Sequence, residues 1–243
     1  MVSLGMQSLD NPFQINLLGD HAILIKLSKG LNGGIDRDLL AIAAFIKEQK
    51  IPGIKDIILA YDNLTLVYDI LDFDSNPYLY VNQLVSNFIA EASNHNAPNN
   101  ASRLIKVPVC YDPSLGIDLE AAAKIANCNI EALIQEHTAH IYTVYCLGFL
   151  PGFAYMGDVP KKIQLPRHPQ PRATVVAGSV GIAGKQTGIY PTDSPGGWQI
   201  IGRTPIKIFD TIKLSLFKAG DQVKFNPIDL ALFHELNNQE DVH

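Results

Sequence analysis

With 243 residues, 47% hydrophobic and only 18% charged, the chain is long enough to bury one large core or two modest ones. A formal charge of −5 leaves no basic surplus to release counterions from nucleic acid, which excludes a polyanionic partner. Cys110, Cys128 and Cys146 are odd in number and show neither CxxC spacing nor the density of a disulfide scaffold, so free thiols in a reducing compartment and no metal site are expected.

In chain order, the opening stretch has no basic region followed by an apolar one, and no apolar run approaches the roughly 18 residues of a membrane span. A cytoplasmic protein with no membrane contact is the expectation. AILIKL (22–27), entered from Gly19-Asp20, reads as a buried strand. Leu39, Leu40, Ala43 and Ile46 recur at helical spacing over 36–50, and Pro52-Gly53 ends that helix. Strands are expected over 54–61 and 64–68 around a turn at Asp62-Asn63. Val81, Leu84, Val85, Phe88, Ile89 and Ala92 mark an amphipathic helix, completing an α+β unit of order β-α-β-β-α. SNHNAPNNAS (93–102) is polar and aperiodic and reads as a linker. Beyond it come a strand over 103–109, a short helix over 118–126 with Asp118 as N-cap, a second over 129–137, and a strand over 141–147.

The composition then changes. Residues 148–204 hold 10 of the 18 glycines and 7 of the 15 prolines, a density that excludes long helices. Short runs at 174–177, 181–183 and 199–201, with 206–216 and 222–225, suggest a β-barrel or sandwich punctuated by Gly and Pro.

Four segments invite chemistry. In GFLPGFAYMG (148–157) the aromatics either wall a pocket or fill the barrel. PRHPQPR (166–172) presents Arg167, His168 and Arg172 on a proline-stiffened segment, suited to a carboxylate or phosphate, or else to pairing with nearby acids. GSVGIAGKQTGIYP (178–191) fails as a Walker loop, because Gly178 stands one residue too far from Gly184 and Gln186 replaces the magnesium-binding hydroxyl. Ser179 is likewise no nucleophile elbow, the preceding glycine pattern being incomplete. In TDSPGGWQIIGRT (192–204), backbone amides at Ser194, Gly196 and Gly197 beside Trp198 and Arg203 can line a polar site, or form a turn with a core tryptophan. Asp20-His21 is either a dyad or a turn preceding a strand.

These motifs, with LGDHAILI (18–25), resemble the KipI/PxpB family, also called allophanate hydrolase subunit 1, over nearly the whole chain. The resemblance implies an α+β amino-terminal domain (1–95) followed by a mainly-β cyclophilin-like barrel domain (96–243). Members include a subunit of an ATP-dependent 5-oxoprolinase, which opens the 5-oxoproline lactam to glutamate together with PxpC/KipA-type and PxpA-type subunits. Others include an inhibitor of a sporulation histidine kinase, and related domains occur in urea carboxylase. On the first of these functions ATP enters at the level of the complex. The likeness marks Arg167, His168, Arg172, Lys185, Gln186, Tyr190, Ser194, Gly196, Gly197 and Trp198 as substrate-binding positions. Arg167 and Arg172 would meet a carboxylate or phosphate, Lys185 developing charge, and the others would complete the wall. No triad, metal site or pair of carboxylates names a catalytic residue, and the amidase Ser-Ser-Lys apparatus is missing. Val176 stands where the family usually has proline, and Ala154 where a small residue or proline is usual, which touches loop stiffness and no polar group.

Overall fold

A computed structural model describes residues 13–27, 37–92 and 103–240. The chain divides into two compact units, Met1–Ala101 and Ser102–His243. The domain boundary expected after residue 95 lies in 93–102, outside the described residues.

The first unit runs β1 (Phe13–Leu17), β2 (Ala22–Leu27), α1 (Arg37–Glu48), β3 (Ile54–Ala60), β4 (Asn63–Tyr68), a 3₁₀ turn (Ile70–Asp72) and α2 (Pro77–Ala92). Its antiparallel sheet has the order β1-β2-β4-β3. Ile25 pairs with Ile15 on one side and Leu64 on the other, and Ile23 with Leu66, so period-two alternation lays these side chains on one face. Leu39, Ile42 and Ile46 of α1 and Val81 and Val85 of α2 pack in the same core. The expected order β-α-β-β-α therefore lacked its first strand. The β3–β4 turn also falls one residue earlier than expected: Asn63 opens β4, and Tyr61 takes the left-handed turn conformation at φ 49°.

The second unit runs β5 (Leu104–Cys110), α3 (Leu119–Ile125), α4 (Ile130–Ala139), β6 (Ile141–Leu147), β7 (Ala154–Gly157), a 3₁₀ turn (Lys161–Ile163), β8 (Arg172–Val175), β9 (Ser179–Ala183), β10 (Gln186–Ile189), β11 (Ser194–Gly196), β12 (Gln199–Arg203), β13 (Phe209–Asp210), β14 (Leu214–Ser215), β15 (Gln222–Ile228) and α5 (Leu230–Glu240). Seven strands close a barrel in the order β10-β7-β6-β15-β5-β12-β9. Parallel pairing of β5 with β15, from Leu104 opposite Gln222 to Cys110 opposite Ile228, joins the two ends of this unit. Val107, Val109, Tyr142, Val144, Met156, Val180, Ile182, Val223 and Phe225 fill the interior, with Leu119 and Leu133 of the two helices in the same cluster.

One expectation fails in this unit and another holds in position only. Residues 206–216 supply no barrel strand; they form only the short β13–β14 hairpin, whose Asp210 carboxylate accepts the Ile212 and Lys213 amides at 2.7 and 2.9 Å. Asp118 stands at the head of α3, but its side chain caps nothing there, and its carboxylate is engaged elsewhere.

Candidate functional site

Strands β9, β10 and β12 are buried on both faces. Val180, Ile182, Ile189 and Ile201 point into the barrel, while Ala183, Tyr190, Trp198 and Ile200 form a second, outer cluster with Phe153 and Val175. Phe153 is its hub, with ring centroids 5.3 Å from Trp198, 5.3 Å from Tyr190 and 4.9 Å from Tyr155, all edge-on. Gly188 is required beneath it, since a Cβ there would lie 2.8 Å from the Ala154 carbonyl and 3.2 Å from both the Phe153 and Trp198 rings. Trp198 is thus a core residue, 5% exposed. Of the aromatics in 148–157, Phe153 fills this cluster, Tyr155 is half-buried, and Phe149 is exposed.

Residues 166–172 run as a strap antiparallel to 196–199. Gln199 Nε2 donates to the Pro166 carbonyl at 3.0 Å, the His168 amide to the Gly197 carbonyl at 2.7 Å, and Arg172 opens β8 opposite Gly196. Beneath the strap lies Asp118. Strands β5 and β12 pair at only one position, Cys110 with Arg203, so the start of β12 has no strand partner on that side. The chain before α3 takes its place. The Asp118 amide donates to the Ile200 carbonyl at 2.8 Å, and Asp118 Oδ2 accepts the Ile200 amide at 2.7 Å. Asp118 Oδ1 accepts from Arg172, and Oδ2 lies 3.4 Å from His168 Nε2. That last approach lacks hydrogen-bond geometry, and Nε2 is buried without another partner. Gln199 Oε1 is likewise buried without a hydrogen-bond partner.

The structure therefore sorts the expected site residues. Arg172 is committed to Asp118, with a further contact of 3.5 Å to the Trp198 carbonyl, and is no free anion ligand. Arg167 is exposed, its guanidinium carbon 6.0 Å from the centre of the Trp198 ring, and it forms no ion pair among the described residues. Lys185 is exposed at the β9–β10 hairpin tip, where the bridge between Gly184 and Leu165 holds it next to the root of the strap, and Gln186 follows half-buried. Tyr190 is buried, which pushes its phenol upward from the ordinary value, and Gly196 packs on its hydroxyl. Of the segment expected to offer backbone amides, Ser194 and Gly196 lie buried in β11 against β8, and the Gly197 carbonyl accepts the His168 amide. Asp20 and His21 do touch, at 2.8 Å, on the exposed surface of the first unit, and that hydrogen bond lowers the Asp20 carboxyl.

Sequence reasoning missed Asp118 as a site residue, Gln199, and a polar cluster inside the barrel. There His137 Nδ1 meets Tyr111 Oη at 2.8 Å and Nε2 meets Thr187 Oγ1 at 3.0 Å, while Thr187 donates to the Gly181 carbonyl at 3.0 Å. Because Thr187 spends its proton on that carbonyl, it accepts from Nε2–H, and Tyr111 donates to Nδ1. A neutral imidazole is thus fully satisfied, and burial pushes His137 down to about 3. Among the described residues no cluster of His, Cys, Asp and Glu is arranged to hold a metal ion, and no helix is long and apolar enough to cross a membrane.

The profile of the carboxyltransferase domain, subdomains C and D, matches residues 13–216. The chain is 40% identical over 231 residues to the 5-oxoprolinase B-subunit of Bacillus subtilis, covering 91% of this chain and 95% of that protein. It is 38% identical over 210 residues to the 5-oxoprolinase B-subunit of Haemophilus influenzae, covering 86% and 94%. The crystal structure of TTHA0988 superposes with a TM-score of 0.70 at 31% identity, covering 86% of this chain, which spans 40% of the length of that one.

Proposed function

The chain belongs to the carboxyltransferase-domain family of subdomains C and D, and within it to the KipI/PxpB family; from that premise we propose that it is the PxpB-type subunit of a 5-oxoprolinase complex. The reading is carried by identity of 40% to the Bacillus subtilis protein, along 95% of its length. The complex would hydrolyse 5-oxoproline to glutamate at the expense of ATP, together with PxpC/KipA-type and PxpA-type subunits. Opening a resonance-stabilised lactam against its ring closure is a sound reason to couple it to ATP. A cytoplasmic location suits the three free cysteines, and we read the barrel as cyclophilin-like.

The substrate is a five-membered lactam bearing one carboxylate. Arg167, unpaired among the described residues and backed by the Trp198 ring, is the cation suited to that carboxylate, with Lys185 as a second. Nucleotide binding is left to the assembled complex. The Gly-Lys pair at 184–185 sits in a β-hairpin, whereas a phosphate loop opens a helix.

Co-expression with the two partner subunits and measurement of 5-oxoproline-dependent ADP release tests the proposal. Release by the wild-type complex is expected, with an increase in KM of about tenfold or more in Arg167→Ala, from loss of a charge-assisted contact. A folded, assembled complex that releases no ADP overturns the function, and suppression of a sensor kinase by this chain would put the inhibitor role in its place. Unchanged KM in an active Arg167→Ala complex removes the carboxylate assignment alone.

A further inference from the structure

Resting on the reading above, we propose that His168 is the residue that moves the proton during lactam opening, and that Asp118 is the positioning residue that fixes which ring nitrogen does so. The argument starts from an asymmetry of the ring. Nε2 is buried and lies 3.4 Å from Asp118 Oδ2, short of hydrogen-bond geometry, while the side chain as a whole keeps 25% exposure. No described residue hydrogen-bonds Nδ1. A carboxylate accepts and never donates when ionised, so its presence favours the tautomer with the proton on Nε2 and a lone pair on Nδ1.

The carboxylate is itself fixed from three sides. The Ile200 amide, the Arg172 guanidinium and the backbone pairing of Asp118 with β12 hold it. The strap that carries His168 is held through Gly197 and Gln199. The charged groups tied to this ring are Asp118 at the head of α3, 3.4 Å from Nε2, and Arg172 on β8, which is bonded to the same carboxylate, while Arg167 is the neighbouring residue on the strap. A long approach between base and orienter is common before substrate arrives, and it shortens when the site closes. In the proposed step a water oxygen bonds to the lactam carbonyl carbon while its proton passes to Nδ1. The carbon–nitrogen bond then breaks, and the same proton goes to the departing nitrogen, which becomes the amine of glutamate. Water is the only co-reactant of this step, which follows the ATP-dependent activation of 5-oxoproline by the assembled complex.

Two measurements test it. The first uses the isolated chain with ¹⁵N-labelled histidine, the His168 signals being assigned by their loss in His168→Gln. The wild type is expected to show the Nε2–H tautomer, and Asp118→Asn a redistribution toward Nδ1–H; an identical tautomer balance in both overturns the positioning role. The second uses the reconstituted complex. His168→Gln is expected to lower kcat by about 10² or more with KM within about threefold, as for loss of a general base. His168→Ala should recover part of that loss on addition of free imidazole, which a merely structural residue would not show. A working wild-type complex whose His168→Gln variant keeps its kcat overturns the proton-transfer assignment and leaves the function standing. A wild-type complex that consumes no 5-oxoproline overturns the function itself, and with it the reaction in which His168 would act.

Discussion

His137 sits in the barrel as a neutral ring with both nitrogens satisfied, and its depression to about 3 sets a pH dependence. In the unfolded chain the same side chain titrates near its ordinary value of 6.5. Between those two values the unfolded state binds a proton that the folded state refuses, so stability is full above 6.5 and is lost as pH falls toward 3. The slope from this one group is at most about 1.4 kcal/mol per pH unit. Urea unfolding between pH 6 and pH 4.5 should therefore fall more steeply for the wild type than for His137→Asn by about that amount per unit. Equal slopes would mean that the ring is charged or solvated in the native state. The sequence announced neither this residue nor the part that the Asp118 carboxylate plays under the strap, and for one reason. The partners of His137 stand 26 and 50 positions away, and those of the Asp118 carboxylate 54 and 82. Spacing along a chain speaks for local neighbours only. Arg167, His168, Arg172 and Trp198 were legible because prolines and glycines beside them betray a constrained backbone. What a sequence cannot carry is that Arg172 arrives already neutralised by Asp118 while Arg167 does not.

At the level of elements, the limits of legibility follow burial. The segment 22–27 reads as a strand because an unbroken aliphatic run has one period to satisfy, and α2 because its apolar residues repeat at 3–4 positions. β1 pairs along all five residues, yet its alternating FQINL carries too few apolar positions to stand out. α5 is hidden for the same reason, having Phe233 as its one fully buried residue among those described. Within the 148–204 region, glycine content was legible but its two meanings were not. Gly184 has φ +58° with open space around its missing Cβ, whereas Gly188 has ordinary φ but no room. Gly184→Ala should therefore cost about 1 kcal/mol of left-handed backbone strain. Gly188→Ala forces the Phe153 and Trp198 rings aside and should cost about 1–3 kcal/mol. Because Trp198 is the sole tryptophan, its emission separates the two mechanisms: the spectrum should shift in Gly188→Ala and hold in Gly184→Ala. A shift in both would show that the hairpin tip, and not only its floor, supports the aromatic cluster.

Across the whole chain, the hydrophobic clusters divide as the two units do. Among the described residues, the core around Ile23, Ile25, Leu64 and Leu66 draws on no buried residue after Val85, and those around Val107 and Phe153 on none before it. Each unit therefore has the apolar interior that independent folding requires. For the barrel, the decisive strand comes last in sequence and lies mid-sheet in space. β15 is flanked by β5 and β6, and its Val223 and Phe225 are fully buried. Ending the chain at residue 221 would remove both side chains and leave β5 and β6 facing each other across an open seam, their backbone groups unpaired. Loss of α5 alone leaves that seam shut. The segment 102–243 expressed by itself should unfold in one cooperative step, with the Trp198 emission of the full chain. The segment 102–221 should show neither, although Trp198 and its neighbours are all present. Native-like emission from 102–221 would mean that the outer aromatic cluster forms without barrel closure, and that the strap and its Asp118 anchor fold as a local unit.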